Sequence, residues 1–220
     1  MKTLFALAFA LLGVSPIAVA QDIAALGQTA YDTGDYTAAL RIWTPLAEHG
    51  DAAAQVALGS MYYQGQGVTT DYAEARKWFR MAANHGNVDA QNWLGIMYSF
   101  DLDLRADFRE SQMWFRLAAE QGNAVGESNL GMSLEDGEAP DYPEALKWLR
   151  KAAGQGDAQG QGELGSMYEE GKGVAQDYAE ARKWYRLAAT AGNDAASLFG
   201  QDRLGQIYLC PSSNDLEQPR

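Results

Sequence analysis

An interval of about 36 residues runs through this chain and limits what it can fold into. Leu-Gly recurs at Leu58-Gly59, Leu94-Gly95, Leu130-Gly131, Leu164-Gly165 and Leu204-Gly205, with glycine spacings of 36, 36, 34 and 40. Tryptophan keeps the same register at Trp43, Trp78, Trp114, Trp148 and Trp184. Ala-Ala follows four of them at a constant offset, from Ala82-Ala83 to Ala188-Ala189. Gly-Asn or Gly-Asp closes each unit, from Gly50-Asp51 to Gly192-Asn193. Four markers in one register define a repeat protein, whose unit is too short to bury its apolar face without a stacked neighbour.

Each unit reads as two helices. Ala54, Leu58 and Met61-Tyr62 share one helical face, predicting helix A over about 52–64. Tyr72, Ala75, Trp78-Phe79 and Ala82 do the same for helix B over about 72–85. Asp71…Glu74, Asp107…Glu110, Asp141…Glu144 and Asp177…Glu180 read as capping boxes at the start of each B helix. Gly86 and its equivalents suit a left-handed helix end, and the next Asn or Asp caps the following helix. Such short links fold successive helices back on one another. A mid-helix glycine costs about 1 kcal/mol, so Gly59 and Gly95 imply close helix approach, as do Ala54, Ala90, Gly126, Gly160 and Gly200. The tryptophans fill the wider gaps.

The run Ala54-Gln55-x-x-Leu58-Gly59-x-Met61-Tyr62-x-x-Gly65-x-Gly67-Val68-x-x-Asp71-Tyr72-x-x-Ala75-x-x-Trp78-Phe79-x-x-Ala82-Ala83-x-x-Gly86-Asn87 resembles the Sel1-like repeat, a relative of the tetratricopeptide repeat. Residues 160–193 match it almost as fully, and the resemblance covers about 22–209. It implies an all-α chain: a right-handed α-solenoid of stacked antiparallel helix pairs, with the A helices towards the concave side and a role in protein–protein contacts. The units fall at about 22–51, 52–87, 88–123, 124–157 and 158–193, then a cap helix over 194–209 and a disordered tail over 210–220. Three units depart from the pattern. The first has the short turn Gly34-Asp35-Tyr36, the third replaces Gly-x-Gly-Val by residues 99–104, and the fourth reads Glu135-Asp136-Gly137-Glu138-Ala139-Pro140. Asp202, Arg203 and Gln206 give the cap helix a polar face.

The N-terminus reads as an address. Lys2, an apolar run from Leu4 to Val14 and Ala18-Val19-Ala20 make a secretory signal peptide cut after Ala20, and the run is too short for a spanning helix. A single soluble domain over 21–209, in the periplasm or outside the cell, is the expectation. The net charge of −12 argues against nucleic acid and anionic membrane surfaces as partners.

Chemistry-bearing motifs are sparse. One cysteine, Cys210, excludes a disulfide framework. Gly160-x-Gly162-x-x-Gly165 matches the dinucleotide fingerprint as text but falls inside helix A rather than after a strand. His49 and His85 precede the closing glycines, at helix C-termini that favour positive charge. No nucleophile–base motif is present. Some cysteine-rich proteins of this repeat class are associated with β-lactam binding, but their paired cysteines are missing here. No catalytic, cofactor-binding or metal-binding residue is expected; an envelope hydrolase or β-lactam-binding protein is the alternative. The loop acids Asp101, Asp103, Glu135, Asp136 and Glu138 read as solvated, with weak cation binding as the sharper option.

Partner-binding candidates come from positions that vary between repeats. Trp93 occupies a place held elsewhere by Ala57, Asn129, Glu163 and Arg203, and is either an exposed binding anchor or buried against a neighbouring A helix. Tyr63, Ile96, Asn129 and Glu163 would share its surface. Phe100, with Leu102 and Leu104, either tucks under the repeats or forms a contact point. The basic residues around the tryptophans, such as Lys77, Lys147 and Lys183, read as the solvated face of helix B. The expected function is a non-enzymatic scaffold for a protein or extended peptide partner.

Overall fold

The repeat markers lie where helices begin, end or touch. The computed structural model describes residues 16–100, 107–136, 139–191 and 198–204, and for 16–22 the backbone alone. The helices are α1 (Pro16–Asp32), α2 (Tyr36–Glu48), α3 (Ala52–Gln64), α4 (Tyr72–Asn84), α5 (Val88–Ser99), α6 (Phe108–Glu120), α7 (Ala124–Glu135), α8 (Tyr142–Gly154), α9 (Ala158–Glu170) and α10 (Tyr178–Thr190). Residues 198–204 add a helical segment, and no strand occurs among the described residues. The expected all-α fold of packed consecutive helices is what forms. The residues through Leu94 make one compact body and those from Gly95 another.

In the first body α2 packs on α1 and α3, and α3 on α4. Its core holds Trp43, Leu58, Met61 and Trp78 with the small residues Ala39, Ala47 and Ala54. In the second, α7 packs on α6, α8 and α9, and α9 on α8 and α10. Phe115, Leu130, Trp148, Leu149, Leu164 and Met167 lie in its core. Trp43, Trp78, Trp114 and Trp148 are buried as expected. Trp184 departs from this and is only half-buried.

Helix ends follow the sequence with one correction. Asp51, Asn87, Asn123 and Asp157 each accept a hydrogen bond from the backbone N–H three residues on. Asp71, Asp107, Asp141 and Asp177 do the same. The reciprocal half of the capping box does not form. The N–H groups of these four aspartates donate instead to Tyr62, Tyr98, Leu134 and Tyr168 on the preceding helix. The cap therefore ties helix B to helix A, and the glutamates are released for other contacts.

Glycine sets the helix spacing. A Cβ on Gly59, Gly131 or Gly165 would stand 2.7, 2.6 or 2.7 Å from Phe79, Leu149 or Tyr185, the residue after each tryptophan. On Gly126 or Gly160 it would meet the first alanine of the preceding Ala-Ala pair at 2.7 Å. Helices α7 and α9 are thus pressed on both sides. Gly67 and Gly173 are needed twice over: both have positive φ, and a Cβ would fall 2.7 Å from Tyr36 and 2.9 Å from Tyr142.

Arg203 is no solvated cap residue: it pairs with Glu169, and both side chains are largely buried. The glycines of the apparent dinucleotide fingerprint all lie inside α9. Helix α1 runs unbroken through the Ala20–Gln21 bond, and no helix among the described residues is long and apolar enough to cross a membrane. The run Leu4–Val14, the loop residues Asp101–Leu104 and Glu138, much of the cap helix, Gln206, Cys210 and the tail lie outside the described residues.

Candidate binding site

The sequence candidates separate into two groups. In the first body, Trp93 on α5 stacks on Phe79 of α4, with ring centroids 5.4 Å apart and planes at 9°. Its other neighbour is Tyr63 of α3, at 5.1 Å, and Tyr63 in turn packs edge-on against Tyr72. Trp93 is half-buried. It is an aromatic in contact with the core, whose Phe79 is itself fully buried over Gly59. Burial also pushes the Tyr63 hydroxyl above its ordinary pKa.

In the second body, Ile96, Phe100 and Asn129 come together around a cavity of about 430 Å³. Phe108, Phe115 and Met132 complete its apolar wall, and Ser133, Asp136 and Gln159 give it a polar edge. Phe100 and Phe108 stand 61% and 52% exposed at its rim. Phe100 is therefore not tucked under the repeats.

Glu163 lines a smaller cavity of about 140 Å³ with Met132, Glu135, Asp136, Ser166 and Lys172. Met132 and Asp136 belong to both cavities, so α7 forms the ridge between an apolar compartment and an acidic one. The Glu135 side chain is only 9% exposed, and its Oε2 lies 3.6 Å from Lys172 Nζ. Its Oε1 is buried with no hydrogen-bond partner among the described residues. Burial pushes Glu135 up to about 7, aided by the neighbouring Glu163 and Asp136 and opposed by Lys172. Glu163 is also raised, by burial first and then by Asp136.

The family model for the Sel1 repeat matches residues 52–87, 88–123, 124–157 and 158–193. The chain belongs to the Sel1 repeat family. A Sel1 repeat protein of Oxalobacter formigenes shares 30% identity over 92% of this chain and 84% of its own, with a TM-score of 0.77. A protective antigen of uropathogenic Escherichia coli shares 37% identity with a TM-score of 0.69, covering 77% of this chain and 36% of that protein. This chain therefore spans little more than a third of that antigen's length. An immunity protein of Pseudomonas aeruginosa, at 19% identity and a TM-score of 0.51 over 88% of each chain, shares the fold. No curated protein sequence matches.

The Sel1 repeats also use residues whose roles the sequence did not disclose. Gln55, Gln91 and Gln161 are buried and donate from Nε2 to Ala47, Ala83 and Ala153, the carbonyls eight residues back. Their interval of about 36 residues was the available signal. Glu127 takes this place in one repeat and accepts from Gln155 Nε2 at 2.7 Å. The lysines of helix B do more than face solvent: Lys151 stands 4.1 Å from the centre of the Trp148 ring, and Lys77 and Lys183 cover Trp78 and Trp184. The freed glutamates Glu110 and Glu144 accept from Trp114 and Trp148 Nε1, while Glu74 and Glu180 take the lysines instead. His49 and His85 donate from Nδ1 to the carbonyls of Pro45 and Met81 at their helix ends.

Proposed function

We propose that this protein is an exported, non-catalytic scaffold that holds a protein partner or an extended peptide segment in a bacterial-type cell envelope. Stacked Sel1 repeats offer a run of A-helix positions that vary while the packing positions stay fixed, the arrangement by which repeat proteins build binding surfaces. The observation that carries the reading is the cavity uniting Ile96, Phe100 and Asn129, open at the rim through two exposed aromatic rings. The Trp93–Tyr63 pair supplies a second aromatic surface. Export is supported by the basic start, the apolar run and the Ala18-Val19-Ala20 site.

A photo-crosslinking residue at position 129, used in intact cells and followed by mass spectrometry, tests the scaffold. A reproducible partner that weakens with Trp93→Ala or Phe100→Ala is expected; no captured protein would overturn the reading. Purified mature protein should begin at Gln21, and a retained Met1–Ala20 segment would remove the export claim. Nitrocefin turnover by the same material would favour the hydrolase alternative.

A further inference from the structure

We propose that the α7 ridge is a two-compartment site for a peptide segment carrying an aromatic or branched apolar side chain beside a lysine or arginine. The proposal rests on the scaffold reading and adds the chemistry of the partner.

The apolar compartment has the volume of a small-ligand pocket, about 430 Å³. Its rim leaves Phe100 and Phe108 largely in water, a cost that an inserted apolar side chain would relieve. The neighbouring compartment selects charge. Glu135, Asp136 and Glu163 line it against Lys172 alone, and Lys172 is held by Glu170 at 2.9 Å as well. A carboxylate with a side chain 9% exposed and one buried, unpartnered oxygen is unstable as it stands. An ammonium or guanidinium group seated between Glu135, Asp136 and Glu163 would offset the negative charge gathered there, and no neutral side chain would do so as well. The compartment is about 140 Å³, room for a cationic head rather than a second ring. Because Met132 and Asp136 border both spaces, neighbouring residues of one segment reach both. The net charge of −12 steers a basic segment towards this surface.

Titration of ¹⁵N-labelled full-length protein with Gly/Ser dodecapeptides that differ only at two central residues tests this. The central pairs are Phe-Lys, Phe-Gln, Ser-Lys and Phe-Glu. Phe-Lys should shift the amides of 129–136 and 163–172 and bind about tenfold tighter than Phe-Gln, the return of one charge-assisted hydrogen bond. Glu135→Gln with Glu163→Gln should lower Phe-Lys to the Phe-Gln level and leave Phe-Gln unchanged. Phe100→Ala, at an exposed position, should weaken both peptides equally and covers the case in which the double variant fails to fold. Equal binding of Phe-Lys and Phe-Gln would overturn the basic preference while leaving the scaffold standing. Shifts confined to other residues, or no binding by any peptide, would overturn the site itself. The scaffold reading falls only if the crosslinking experiment also captures nothing.

Discussion

The ring of Phe115 lies over Gly95 so closely that a Cβ built on the glycine would stand 2.3 Å from ring carbon Cε1. Phe115 is 4% exposed and has little room to swing away. Gly95→Ala gains about 1 kcal/mol in helix propensity and loses about 1–3 kcal/mol to overpacking. With overlap this deep the loss prevails, and the melting temperature should fall. Adding Phe115→Leu should recover part of it, giving a coupling energy in a double-mutant cycle. Additive effects of the two substitutions would refute the contact.

The tryptophans separate by burial. Trp148 is 5% exposed, donates to Glu144 and is covered by Lys151, whereas Trp184 is half-buried with its Nε1 unpartnered among the described residues. Trp148→Ala should cost about 3–5 kcal/mol, and Trp184→Ala about half as much. Urea denaturation of both variants decides it; equal losses would show that the terminal repeat packs like the inner ones.

The helix boundaries, the left-handed glycines and the close helix approaches were legible because each leaves a periodic, local trace. Gly86 needs positive φ, and Asp71 needs only an amide three residues away. The capping box misled because the N–H of Asp71 finds the carbonyl of Tyr62, a partner set by how two helices meet rather than by spacing along one. The candidate site was half-legible for the same reason. Ile96, Asn129 and Glu163 stand out as variable positions, but Phe108, Met132 and Glu135 join them only through packing around α7. Glu135 looked like a solvated loop acid, and it lies at the end of a helix instead.

Glu135 gives stability a pH dependence of defined sign. Burial raises its pKa from 4.5 to about 7, so the folded state keeps a proton that the unfolded chain releases earlier. Stability should therefore fall as pH rises from about 4.5 to about 7 and level off above that. Of the groups around it, Glu163 and Asp136 push in this direction and Lys172 opposes it. Glu170 and Glu144, held below the ordinary range by Lys172 and Arg116, lose their contributions only at more acid pH. Glu135→Gln should remove about 1–3 kcal/mol of the difference between the two ends of the window. Urea midpoints measured on either side of the window check it; the same slope in wild type and variant would sink the assignment.

Residues 198–204 meet the last full repeat through Gln201, which donates from Nε2 to the Ala189 carbonyl, and through a polar cluster around Glu169. Arg203 donates to Glu169 Oε2 on α9, and the buried Tyr185 hydroxyl on α10 donates to the same oxygen at 2.7 Å. Phe199 adds an edge-on contact with the Tyr185 ring, and Gly200 lets the segment approach the Tyr185 carbonyl. Arg203→Met should leave the two remaining groups with a weaker bond and cost about 1–2 kcal/mol. Tyr185→Phe, which keeps the ring, should cost about 1 kcal/mol. Hydrogen exchange separates the two changes, because the first removes the segment's ion pair and the second only the long bond from Arg203 Nε to the hydroxyl: amides of 198–204 should exchange faster in Arg203→Met than in Tyr185→Phe. Unchanged protection in Arg203→Met would mean that Phe199, Gln201 and the close approach at Gly200 hold the segment without the ion pair.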